Sequence, residues 1–384
     1  MNRRTPIWSI FAFALAICLL AGTPVQSSQT SRLPDQLSDA EFWRIVTEFS
    51  EPSGDYAYQN FVSNEITIQR IIPPTKRAIK PGGVFIGVGP EQNFTYASAL
   101  QSRMAFVVDI RRQNMILHLM YKALFEMSSN RAEFMTNLFS RPRPSYVDER
   151  TNVAQTFDLF LRKPADPAIQ TRTAAAIKAT LARHGFNLSP EDLAKIDYIH
   201  EVFYKGGPNI SYDFMSESPP TGIPYPTYQV LMNSTDATGQ NWSFLATEDN
   251  YQFVREMQRK NMIVPLVGDF AGPKALRSIA EYLKAHNSNV AAFYISNVEL
   301  YLNPQQLQTF YASVAAMPHD GSGILMRFVN HANNAPMSWW KDSMTHQSVV
   351  SRISDLASQV KAGTPLRYPA ILAPLKDPAT IDVP

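Results

Sequence analysis

Between Gly83 and Asp109 the chain reads strand, glycine turn, helix, strand, acid. An apolar run from Gly83 to Val88 ends in Gly87-Val88-Gly89-Pro90, the residues from Phe94 to Gln101 favour a helix, and a second apolar run from Met104 to Val108 ends in Asp109. Two strands joined through a helix run parallel, and a parallel sheet needs helices to cover it. The same alternation returns later: helix Thr247 to Lys260, strand Ile263 to Val267, helix Pro273 to Ala285, strand Val290 to Ile295, helix Pro304 to Ala315, strand Gly323 to Phe328. This spacing predicts an α/β fold with a mostly parallel sheet and helices on both faces. At 384 residues and 45% hydrophobic content the chain can bury a large core.

Between the two runs of alternation lies a different kind of sequence. Residues 112–246 are expected to form a mainly helical and irregular insert after the second strand. Met115, Ile116, Leu119, Met120 and Ala123 mark one buried helical stripe. Ser189 caps a helix with Pro190 in its first turn, and Gly206-Gly207 end it. From Gly206 to Ser243 Pro, Gly, Asn and aromatic residues follow no period; Tyr204, Tyr212, Tyr225, Tyr228 and Trp242 around this stretch form either a lid or its packing. Residues 28–80 are read as an N-terminal helical segment: Ser38 caps a helix with an apolar face of Phe42, Ile45, Val46 and Phe49, and a Pro-rich joint, Ile72 to Pro81, leads into the sheet. The sheet domain is then 81–111 with 247–384.

Residues 1–27 have the order of a secretory signal peptide: Arg3 and Arg4, the apolar run Ile7 to Gly22, then small residues up to Ser27. The expected location is outside the cytoplasm, periplasmic or secreted, with membrane attachment only if this segment is uncleaved. Cleavage near Ser27 removes Arg3, Arg4 and Cys18, leaving 33 basic against 33 acidic residues and no cysteine. A chain so balanced, with no basic run, offers no electrostatic footprint for nucleic acid. Without cysteine, disulfides and thiolate chemistry drop out. The seven histidines, His118, His200 and His331 among them, show no metal-ligand spacing, and neither a Gly-x-Ser-x-Gly elbow nor a phosphate-binding loop occurs. The expected partner is a small molecule, with no metal.

Gly87 and Gly89 stand where a strand turns sharply into a helix and let the backbone approach a ligand. Asp109 ends the next strand, the position from which a carboxylate accepts hydrogen bonds from ribose hydroxyls. The alternative is a purely structural turn. The third glycine of the dinucleotide fingerprint is absent, Glu91 and Ala97 being the nearest residues to its place. Through Val84-Phe85-Ile86-Gly87-Val88-Gly89-Pro90-Glu91 and Phe106-Val107-Val108-Asp109 the chain resembles the class I S-adenosylmethionine-dependent methyltransferase superfamily, a Rossmann-like fold. Leu266-Val267-Gly268-Asp269-Phe270 is similar to its third strand, and Phe293-Tyr294-Ile295-Ser296-Asn297-Val298-Glu299 to its fourth. The Gly-Val-Gly-Pro-Glu-Gln-Asn stretch also resembles a bacterial family without an assigned activity.

The resemblance implies S-adenosylmethionine as cofactor. Gly87 and Gly89 would meet its amino-acid end through backbone groups, Asp109 its ribose, and Asp269 with Phe270 its adenine, with Glu91 also among the cofactor-binding residues; Ser296, Asn297 and Glu299 would face the reacting carbon, Glu299 taking a proton and Asn297 orienting the acceptor. Left to the residues alone, Glu299 reads equally as a solvated acid at a helix entry. Arg141 and Arg143, in Ser140-Arg141-Pro142-Arg143-Pro144, hold either an anionic ligand or surface acids. The function expected is a transferase, most simply a methyltransferase on a small or lipid-like acceptor. Transfer of an aminocarboxypropyl group, as in betaine-lipid synthesis, ranks below it. An exported non-catalytic binding protein and an NAD-linked oxidoreductase are the alternatives.

Overall fold

A computed structural model describes residues 32–214, 225–330, 346–363, 365–368 and 370–372. The signal-peptide reading of 1–27, part of the irregular stretch after Gly206, and His331 therefore lie outside the described residues. Six strands form one sheet: β1 (Val84–Gly87), β2 (Met104–Asp109), β3 (Ile263–Val267), β4 (Val290–Ser296), β5 (Ile324–Asn330) and β6 (His346–Arg352), in the order β3-β2-β1-β4-β5-β6. All neighbours are parallel except β5 and β6. Every residue of β1, β2 and β3 is buried, so these strands are covered on both sides.

Thirteen α-helices accompany the sheet among the described residues. α1 (Asp39–Phe49) begins where expected, with the Ser38 hydroxyl accepting from the Glu41 amide at 3.1 Å. The Pro-rich joint is helical: α2 (Ile72–Ala78) places Pro73 and Pro74 in its first turn, where an amide hydrogen has no helical partner to lose. α3 (Gln92–Ala99) joins β1 to β2. Between β2 and β3 come α4 (Arg112–Met127), α5 (Arg131–Phe139), α6 (Val153–Leu161), α7 (Pro167–Arg183), α8 (Pro190–Gly206), α9 (Tyr228–Asn233) and α10 (Glu248–Arg259). α4 is buried at every position from Asn114 to Phe125, and its methionine stripe is core. α8 starts on a reciprocal cap between Ser189 and Asp192. α11 (Ala275–Ala285) and α12 (Pro304–Ala315) complete the later crossovers, and α13 (Ile353–Lys361) follows β6. None of the described helices is long and apolar enough to cross a membrane.

Sequence periodicity does not anticipate β6. Only Ser348, Val349 and Val350 of its seven residues are buried, because it lies at the sheet's edge, and it pairs antiparallel over its whole length with β5.

Candidate functional site

The strand order fixes where a ligand can enter. β2 and β3 extend to one side of β1, and the chain then returns to β4 on the other, so the turns leaving β1 and β4 diverge and open a crevice at the strands' C-terminal ends. A cleft of about 450 Å³ lies there, lined by the turn after β1 (Val88, Gly89, Pro90), the ends of β2 and β3 (Asp109, Asp269, Phe270) and the end of β4 (Ser296, Asn297, Val298). The segment between α1 and α2 adds Asp55, Tyr56, Tyr58 and Glu65.

The β1 turn is held from the protein side. A side chain on Gly87 would reach within 1.9 Å of the Asn93 amide oxygen, and Gly89 takes φ +80°, a backbone that disfavours any other residue. The Asn93 amide donates to the carbonyls of Val88, Gly89 and Pro90 at 3.1, 3.0 and 2.8 Å. His118 Nε2 lies 2.9 Å from the Gly89 carbonyl, and burial lowers its pKa to about 4. A neutral ring must therefore donate to that carbonyl. Glu91 is fully buried behind the turn, where it accepts from the Ser63 amide at 3.2 and 3.3 Å, and burial raises its pKa to about 8.

Asp109 is buried at the end of β2, accepting from the Arg111 amide at 3.0 Å with the Arg111 guanidinium 3.5 Å away. Burial raises its pKa against the pull of that guanidinium. Arg111 also donates to the carbonyls of Tyr58 and Gln59 at 2.5 and 2.7 Å and lies 5.2 Å over the Tyr56 ring. It thereby straps segment 56–59 to the sheet beside the cleft.

Glu65 is the most deeply buried of the carboxylates that line the cleft. It lines the cleft and accepts from the Tyr294 and Ser296 hydroxyls, while burial raises its pKa to about 7 against those two hydrogen bonds. Ser296 reaches it from a left-handed backbone, φ +53°, at the point where the β4–β5 register shifts. Such a conformation, held by the fold beside a buried acid, is the kind of strain found at functional sites.

On the far side, Asp269 closes its own turn by accepting from the Ala271 amide at 2.8 Å. Glu51 secures that turn, accepting from the amides of Asp269, Lys274 and Ala275 at 3.1, 2.7 and 2.7 Å. Phe270 lines the cleft but is only 4% exposed, its ring packed on Phe293 and Phe310.

Of the residues singled out in the sequence, Gly89, Asp109, Asp269, Phe270, Ser296 and Asn297 converge on this cleft. Gly87 and Glu91 support it from behind. Glu299 does not line it: its carboxylate is buried against Arg327 Nε at 2.9 Å and the Tyr311 hydroxyl at 2.8 Å, which leaves no solvated acid and no approach to a ligand there. Arg141 and Arg143 hold main-chain carbonyls, of Lys163 and Val147, instead of surface acids. Tyr212 lines the cleft and packs on Tyr225, whereas Tyr228 is core and the Trp242 indole donates to Asp236 at 2.8 Å. Glu65, Asp55, Tyr56 and Tyr58 were not legible in advance, because residues 50–67 carry no periodicity to place them. Gln92 also lines the cleft, and it had a signal, adjoining Glu91 in the glycine turn.

The family model described as Domain of unknown function (DUF7790) matches residues 60–149 and 222–376, which include Glu65, Gly89, Asp109, Asp269 and Ser296. No curated protein matches the chain.

Proposed function

The chain belongs to the DUF7790 family, and from its cleft we propose that it is an S-adenosylmethionine-binding transferase, most simply a methyltransferase, with a Rossmann-like sheet and residues 112–246 as an insert. The observation that carries this reading is the charge of the cleft. Asp55, Glu65, Asp109 and Asp269 line it; the Arg111 guanidinium, 3.5 Å from Asp109, balances one of them, and no lysine or arginine is among the described lining residues. A sulfonium cation is favoured by such a lining, whereas the two phosphates of NAD would be repelled.

The donor set fits the cofactor. Asp109 is the acceptor for ribose hydroxyls, Asp269 and Phe270 flank the adenine, and the side-chain-free Gly89 leaves room for the amino-acid end. The cofactor supplies an activated methyl group. Glu65, in place of Glu299, is the residue that takes a proton from the acceptor, with Ser296 and Tyr294 holding its carboxylate; Asn297 orients the acceptor.

A titration of the purified protein with S-adenosylmethionine, S-adenosylhomocysteine and NAD tests the reading. The first two bind and NAD does not, and Asp109→Asn weakens both by roughly tenfold or more, as expected for loss of charged hydrogen bonds. Binding of NAD alone, or of none of the three, overturns it. A non-catalytic binding role would show as binding without any conversion of S-adenosylmethionine.

A further inference from the structure

Four tyrosines line the same cleft: Tyr56 and Tyr58 from the segment before α2, Tyr212 from beyond α8, and Tyr301 from the turn after β4. Their rings are close-packed, Tyr56 lying 5.7 Å from Tyr58 and 5.5 Å from Tyr301, and Tyr58 5.4 Å from Tyr212. The Tyr56 hydroxyl is 3.2 Å from both the Tyr212 and Tyr301 hydroxyls, so the cluster is fixed by its own hydrogen bonds. One ring face already carries a cation, the Arg111 guanidinium. Asp55 and Glu65 enter the cleft from the same segment as the first two rings.

A separate observation concerns Gln92, which lines the cleft and is 3% exposed. Its amide nitrogen donates to the Val88 carbonyl at 3.0 Å, which fixes the orientation of the group, and its side-chain oxygen has no hydrogen-bond partner. A buried acceptor left unmade is costly, and a ligand N–H relieves it.

We infer that the tyrosine-lined part of the cleft binds a protonated organic amine, and that an amine is the acceptor class of this site. Aromatic faces and carboxylates attract the positive charge, and the Gln92 oxygen accepts an N–H that a quaternary ammonium or an alcohol of equal size would not match in charge and donors together. The word acceptor rests on the transferase reading; the amine site does not. In the transfer, one N–H proton passes to the Glu65 carboxylate and frees the nitrogen lone pair. That pair forms the N–C bond to the methyl carbon while the C–S bond of S-adenosylmethionine breaks, its electrons remaining on sulfur.

Ligand-observed NMR titration of the full chain with n-butylammonium, and with its neutral counterpart 1-butanol, tests the site without any turnover. The ammonium binds and the alcohol binds more weakly; Tyr58→Leu weakens the ammonium about three- to fivefold and leaves the alcohol unchanged, the size expected for one cation–π contact. Asp55→Asn, at an exposed position that does not endanger folding, acts in the same direction. Binding of the ammonium persists with saturating S-adenosylhomocysteine. Equal binding of both probes, or Tyr58→Leu and Asp55→Asn variants that bind the ammonium as the parent does, overturns the inference. If S-adenosylmethionine binds and the amine does not, the inference alone falls. If the amine binds and S-adenosylmethionine does not, the site stands and the transferase reading falls.

Discussion

Glu65 has a consequence that reaches beyond the cleft. Its carboxyl is held at a pKa of about 7 by burial, against 4.5 when unfolded, so between these values the folded chain keeps a proton that the unfolded chain has released. Stability from this group is fully present below about pH 4.5 and is lost as pH rises through about 7, a change on the order of 3 kcal/mol. Urea unfolding should therefore show lower stability at pH 8 than at pH 5, and Glu65→Gln should shrink that difference; an unchanged difference would mean that the group titrates normally. Glu91, raised to about 8 by burial, adds in the same direction. Neither role was legible from residue type, because an acid is moved this far by what surrounds it. Gly89 and Asp109 were legible, since their demands, a positive φ and a place at a strand's end, are local.

Helices and strands were read from the sequence most surely where a cap or a period marks them. Ser38, Ser189 with Asp192, Thr247 and Asn303 all cap as their residue types suggest. Where the partner comes from elsewhere in the chain, the sequence is silent. α11 has no cap from its own flank: Lys274 precedes it, and Glu51, far away in the chain, accepts from the amides of Lys274 and Ala275. The same carboxylate accepts from the Asp269 amide. Glu51→Gln should cost roughly 1–2 kcal/mol in urea unfolding, the size of a lost cap, and should also weaken S-adenosylmethionine binding by loosening the Asp269 turn. A loss of stability with ligand affinity intact would separate the cap from the site. β6 shows the opposite failure: with buried residues at three consecutive positions it carries no alternation to read, and its place depends on β5.

For the molecule as a whole, the parallel sheet followed from the alternation of strands and helices, while its order did not, since nothing local says on which side of β1 the chain returns. That return creates the cleft. The positive and negative charges of the chain nearly balance, so the field at the cleft comes from where the acids stand and not from their number. Raising salt from 0.1 to 1 M shortens the screening length from about 10 to about 3 Å; n-butylammonium affinity should fall at least about twofold across that range, and 1-butanol affinity should not fall. Equal behaviour of the two would remove the electrostatic argument. The strap of residues 56–59 and Glu65 leave the ribosome before any strand of the sheet, yet Glu65 finds Tyr294 and Ser296 only 229 and 231 residues later. Contacts of such separation form late. The candidate cleft therefore cannot be complete until β4 has been synthesised, and if the proposed ligand binds there, its capture reports that synthesis has run past β4.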